Sequence, residues 1–437
     1  MSRGSIGRLV LPALLPLLVR LVFGSVYLAF LPWPDLGDIA FYYTLGQQSD
    51  AGFYPYLHYW MEYPPIFPWL VVGLWRGLAW LSAAAPTAVQ FWTAYPLLMF
   101  CVDAANVVLV QLVARRVHGP RAARLAALVY AASPVAVWYS AGWYDPLAVL
   151  AFLSGLLAVL DRRARTAGVL IGLGILTKVY PGVLLLALPV AMGWRATWRA
   201  VAATIGTLAV VLVPLAVLRG DLLVASLTAM LTRRAWETVP ALLTGNFAWG
   251  YIVPLTERFT AGTAVAVDST ASARVIALVV QATLVVVLWA AWRLLRADDR
   301  GPRQTVALAT LGVAAFMLSN KGYSPQFVIW LLPLLLVMWP NRRGLLYCMW
   351  FSLHVLAYYR LVLPTIAQYY LYDSVTAETA ALASWLSVGS RTLLLAWIVG
   401  HLCQEIRAMV RVRATVDERP PLTAAEPAPA FVPARAA

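Results

Sequence analysis

Five side chains carry charge where the sequence is otherwise apolar or aromatic. Asp35 and Asp38 lie in "PDLGDIAFYY", Asp145 in "GWYDPLAVL", Lys178 in "LTKVYPGVL" and Lys321 in "NKGYSPQFVIW". Of 33 lysines and arginines these two are the only lysines, and each has Tyr and Pro close behind it. A lysine held at the centre of a bilayer costs about 2.5–3.5 kcal/mol on insertion scales, so both should sit at turns. As chemistry, a carboxylate can serve as general base, and cations can hold a phosphate as charge builds on it. Plainer readings compete. Asp35 and Asp38 could cap a short helix, Asp145 before Pro146 fits an ordinary helix start, and the lysines could snorkel to headgroups.

The elements that must position these groups follow from composition. The chain has 437 residues, 62% hydrophobic and 12% charged, with mean hydropathy +0.76. Such values exclude an ordinary soluble domain and imply a polytopic membrane protein. Nineteen tryptophans and twenty tyrosines suit many membrane–water crossings. The net charge of +14 does not point to a nucleic-acid partner. Its arginines gather between apolar runs, in "RRVHGPRAAR", "DRRAR", "WRATWR", "RLLRADDRGPR", "NRR" and "RAMVRVR", as the positive-inside rule requires. Cys101, Cys348 and Cys403 lie within apolar runs, without metal or redox spacing.

With these clusters placed in the cytoplasm, the sequence predicts an all-α polytopic membrane protein of about 12 transmembrane helices. The spans are 9–31, 90–114, 124–141, 146–160, 166–177, 181–193, 200–218, 274–292, 305–319, 325–340, 344–359 and 380–402. Counting 64–81 as a further span would invert every later cluster. It is therefore expected as a non-spanning interfacial helix in a long first outer loop, 32–89. A second long outer loop covers 219–273 and a third 360–379. Residues 1–413 form one transmembrane domain, and the Pro/Ala-rich 414–437 a disordered cytoplasmic tail. On this map the protein lies in the cytoplasmic membrane with both termini inside. Both lysines, Asp35, Asp38 and Asp145 then stand at outer ends, facing one cavity. Arg20, in mid-segment of the first span, is the exception: it is either packed in the bundle or the mark of a transporter.

Five stretches carry a resemblance. "LGDIAFYYTLGQQSDAGFYPYLHYWMEYPPIFPWL", "CVDAANVVLVQLVARR", "SPVAVWYSAGWYDPLAVLAFL" and the two lysine turns resemble the GT-C glycosyltransferases, over about residues 30–360. Within that superfamily they resemble the catalytic subunit of GPI mannosyltransferase I and bacterial polyprenyl-phosphate-mannose-dependent mannosyltransferases. The resemblance implies a donor sugar, mannose, linked to a lipid phosphate. It also implies a lipid or glycan acceptor, and chemistry on the outer face amid membrane lipid. It implies Asp38 as the catalytic base. Because a lipid phosphate is already a good leaving group, cations replace the proton donor a glycosidase needs. Lys178, Lys321, Arg233, Arg234 and Arg360 are the candidates to bind it. A single in-line attack inverts the anomeric centre. Asp35, Tyr42, Glu62, Asp145 and Gln326 are candidates for the sugar or acceptor. One departure concerns metal: the family's two first-loop acids are one residue apart, whereas here "DLGD" separates them by two. A divalent cation, Mg or Mn, is therefore left open. A secondary transporter or flippase is the alternative from another class.

Overall fold

The computed structural model describes residues 37–248, 250, 253–264, 270–296 and 301–417, with 14, 18–22, 25 and 26 of the first apolar segment. Asp35, most of the expected first span and residues 418–437 of the expected tail lie outside the described residues. Its helices are α1 (Gly37–Asp50), α2 (Ile66–Ser82), α3 (Ala88–His118), α4 (Pro120–Ala132), α5 (Pro134–Gly142), α6 (Asp145–Leu160), α7 (Ala164–Thr177) and α8 (Leu188–Met192). They continue with α9 (Trp194–Thr232), α10 (Val239–Leu243), α11 (Thr270–Leu295), α12 (Pro302–Ser319), α13 (Val328–Met338), α14 (Arg342–Ala357), α15 (Leu363–Tyr372) and α16 (Ala377–Asp417). Short 3-10 segments, Tyr180–Ala187 and Pro325–Phe327, lead into α8 and α13.

Local chemistry sets the breaks. Thr87 and Gln90 cap each other's backbone at the start of α3. Ser133 accepts from the Ala136 amide and Pro134 takes the first helical position, so α4 and α5 meet at a 56° bend. Where α7 crosses α9, a Cβ on Gly168 would fall 2.1 Å from the Ala200 carbonyl oxygen. Thr204 donates to the Gly168 carbonyl at 2.9 Å across the same crossing. A residue without a side chain is what lets these two backbones approach.

Each expected apolar run from residue 90 onward is helical, but the span count differs. Among the described residues five helices are long and apolar enough to cross a membrane: Ala88–His118, Trp194–Thr232, Arg274–Leu295, Arg342–Tyr372 and Ala377–Val410. The bent pair α4–α5 makes a sixth at most. Others, including α2, α6 and α7, have only 10–17 residues, short of the ~20 that a bilayer core requires. The segments expected as long loops also contain more helix than expected. α9 continues through the break at Arg219 (φ −148°, ψ 64°), whose guanidinium holds Asp221 at 2.8 Å and the Leu57 carbonyl at 2.7 Å. The third loop is largely a π turn (Tyr358–Val362) followed by α15.

The main core joins α3–α8 to α12–α14 and α16. Arg20 belongs to it. Its Nε lies 2.8 Å from Asp103, its Nη2 donates to the Tyr130 carbonyl at 3.0 Å, and Tyr130 donates its hydroxyl to Asp103 at 2.8 Å. Both charges are wholly buried, so Arg20 is a bundle arginine with a bundle partner.

Candidate active site

Asp38 stands in the first turn of α1 and is partly buried. A helix N-terminus normally favours a carboxylate, yet burial wins. Burial and the neighbouring Asp145 push the Asp38 carboxyl up to about 6, against the opposing pull of Lys178, Arg233 and a hydrogen bond from Trp143. These same neighbours define the site: two carboxylates, two cations and an aromatic wall.

The wall comes from the first loop and α3. Tyr42 is fully buried, with its ring centroid 4.7 Å from Phe67, 5.3 Å from Tyr95 and 6.5 Å from Tyr144. The hydroxyls of Tyr42 and Tyr95 have no hydrogen-bond partner among the described residues. Tyr144 stacks on Phe67 at 3.9 Å, which ties the turn before α6 to α2.

Asp145 and Lys178 meet where α6 begins and α7 ends. The lysine Nζ lies 2.7 Å from Asp145 Oδ1, which also accepts from Trp330 Nε1 at 2.6 Å. Asp145 is fully buried, while the Lys178 side chain remains 14% exposed and so within reach of a ligand. Around the ammonium stand the faces of Tyr144, Phe327 and Trp330, at 4.5, 4.7 and 4.9 Å. An aromatic box of this kind stabilises a cation away from water. Phe327 and Trp330, three residues apart on one helical face, were absent from the expected site; their i, i+3 spacing is the signal that could have found them.

Arg233 follows the last residue of α9. It lies 3.4 Å from Glu62 and 4.2 Å above the Trp236 ring. Glu62 is shared with Arg258 at 3.0 Å, which in turn lies between the rings of Phe41 and Trp60. Glu62 therefore organises arginines, a role more specific than the hydrogen bond to sugar or acceptor expected of it. The Met61 amide donates to Ser226 and the Trp60 amide to the Arg258 carbonyl, so the segment before α2 is tied to α9 and to the segment that follows it.

Lys321, Arg234 and Arg360 are not among the groups that set the Asp38 carboxyl. Lys321 donates to the Leu231 carbonyl at 2.6 Å, close to the C-terminus of α9, where a cation meets the negative end of the helix. Its aim is set by the backbone: Tyr323 N donates to the Trp236 carbonyl and Thr238 to the Lys321 carbonyl. Of the two lysines, Lys178 is among the groups that act on the Asp38 carboxyl. Gln326 is half-buried in the 3-10 segment before α13, and Arg234 and Arg360 are exposed. Glu237, which was not among the expected site residues, is buried with φ 49°. It accepts from Tyr358 through its carboxylate and from Arg391 through its carbonyl. Burial pushes its carboxyl up to about 7, against the pull of Arg391. Among the described residues no three His, Cys, Asp or Glu side chains converge.

A bundle of apolar helices with this acid–cation cluster among them defines a membrane protein. The model of glycosyltransferase family 87 matches residues 60–319, more than half of the chain, and the chain belongs to this family of GT-C-like glycosyltransferases. The match includes Glu62, Asp145, Lys178 and Arg233. ArnT from Cupriavidus metallidurans bound to undecaprenyl phosphate is similar over 94% of this chain and 76% of its own, at 16% identity and TM-score 0.47. The apo oligosaccharyltransferase of Archaeoglobus fulgidus is similar over 92% of this chain and 57% of its own, at 14% identity and TM-score 0.41. The same organism's AglB, in complex with an inhibitory peptide and a dolichol-phosphate, gives 92%, 56%, 14% and 0.39. This chain thus spans just over half the length of the oligosaccharyltransferase. No curated protein sequence matches it.

Proposed function

We propose that the protein transfers a sugar, mannose, from a polyprenyl-phosphate donor to a hydroxyl of a lipid or glycan acceptor, on the outer face of the cytoplasmic membrane. The observation that carries this reading is the juxtaposition at Asp38: a carboxylate raised toward neutrality, beside an aromatic-boxed lysine and an arginine. Asp38 accepts the proton of the acceptor hydroxyl as its oxygen attacks the anomeric carbon. The bond from that carbon to the phosphate oxygen breaks, and the electron pair leaves with the lipid phosphate. Lys178 and Arg233 neutralise the departing charge, and attack opposite the leaving group inverts the centre. Asp145, which holds Lys178, and Tyr42 are assigned to the sugar by this reading.

Transport is the weaker reading, because its sequence signal was Arg20 and that arginine is paired with Asp103 and donates to the Tyr130 carbonyl inside the bundle. The test is transfer by purified protein from polyprenyl-phosphate-mannose to a lipid acceptor. Wild type should transfer and Asp38→Asn should lose at least a hundredfold, within the usual range for removing a general base. Equal transfer by both would reject the role of Asp38.

A further inference from the structure

Away from Asp38, a groove of about 710 Å³ runs between α14 and α16. One wall is Leu346 and Trp350 of α14; the other is Leu393, Leu394 and Trp397 of α16. In each helix these positions are three or four residues apart, so each forms one longitudinal stripe. Trp350 and Trp397 are 51% and 61% exposed, which leaves the groove open along its side. One end is polar. Arg343, in the first turn of α14, lines it together with His401, whose Nδ1 lies 2.6 Å from the Tyr347 hydroxyl.

That end carries excess positive charge. Arg303 and Arg343 share a single carboxylate, Glu405, at 2.9 and 3.6 Å, and Arg342 stands exposed alongside. The Arg343 side chain is 64% exposed, so its longer contact to Glu405 leaves donors free for a ligand at the groove mouth. Inside a bilayer an alkyl chain gains little by exchanging lipid neighbours for leucine. Selectivity in such a groove must therefore come from the headgroup, and here the protein offers guanidinium.

We infer that this groove is a binding site for an anionic phospholipid, with an acyl chain lying between α14 and α16 and the phosphate held at Arg343. The arginine end of α14 is the far end of the bundle from the Asp145–Lys178 turn, so a lipid seated here is not a donor in position to react at Asp38.

The experiment is native mass spectrometry of the full-length protein released from micelles containing equimolar dioleoyl phosphatidylglycerol and dioleoyl phosphatidylcholine. Retention should favour phosphatidylglycerol about fivefold, the worth of one arginine's attraction at a membrane surface. Arg343→Gln should bring the ratio to about one. Arg343→Lys should preserve it, because the charge at the groove mouth is kept. Leu393→Trp, which fills the groove, should reduce retention of both lipids. An unchanged ratio in Arg343→Gln, or full retention in Leu393→Trp, would overturn the site. Displacement of phosphatidylglycerol by equimolar undecaprenyl phosphate would overturn its assignment to a phospholipid.

Discussion

Asp38 shows how a single residue can be positioned against its own preference. A carboxyl raised from 3.8 to about 6 is harder to ionise when folded, so stability falls as pH rises from about 4 through 6. Removing the ionisable group removes that cost. Asp38→Asn is therefore expected to melt higher than wild type at pH 8, by up to about 3 kcal/mol, and alike at pH 3.5, in thermal scans of purified protein. Its activity should go the other way. The base must be ionised to act, so the wild-type kcat/KM should rise with pH through about 6. Asp145→Asn removes the neighbour that raises Asp38 while Lys178 and Arg233 still lower it, so the acid limb should move below 6. A limb that stays in place would mean that the titrating group is elsewhere. The two lysines should separate just as clearly. Lys178→Met should cost transfer, whereas Lys321→Met should chiefly lower the melting temperature, because Lys321 is bound to the end of α9.

Among the elements, α7 and α9 depend on a contact that a single methyl would break. The Gly168 Cα lies against the Ala200 backbone, and that carbonyl cannot move aside as a side chain could. Gly168→Ala is expected to destabilise by about 1–3 kcal/mol, the usual cost of overpacking, seen as a lower melting temperature. Gly73→Ala, which meets nothing within 4 Å in α2, serves as the control. This scale is also where sequence reading worked best. Apolar runs bounded by Pro, Gly and arginine marked nearly every helix, because hydropathy and capping act over a few neighbours. It fared worse where tertiary contacts decide. Arg219 lets α9 continue past its apolar run by gripping Leu57, 162 residues away. Lys321 looked like the twin of Lys178 because both precede Tyr and Pro, but its aim is set by a pairing with residues 236–238. Arg20 found its partner in Asp103, a residue whose own signal in "CVDAANVV" is only a lone acid in an apolar run.

For the molecule as a whole, the connectivity separates two chemistries. Helices that start at Asp145 or end at Lys178 have their other ends at Asp161 and Arg163, and Arg116 pairs with Asp161 there at 2.8 Å. The Arg303–Glu405–Arg343 cluster belongs to that same basic end. If the positive-inside rule governs this chain, the basic end is cytoplasmic and the Asp38 cluster faces outward. Single cysteines in a background with Cys101, Cys348 and Cys403 replaced by serine provide the check. A cysteine at Ser324, on the turn beside Lys321, should react with a membrane-impermeant maleimide in intact cells. One at Asn341, exposed just before α14, should react only after permeabilisation. The reverse pattern would place the transferase chemistry on the cytoplasmic side. Labelling of both in intact cells would break the separation of the two ends, and with it the link between the arginine clusters and orientation.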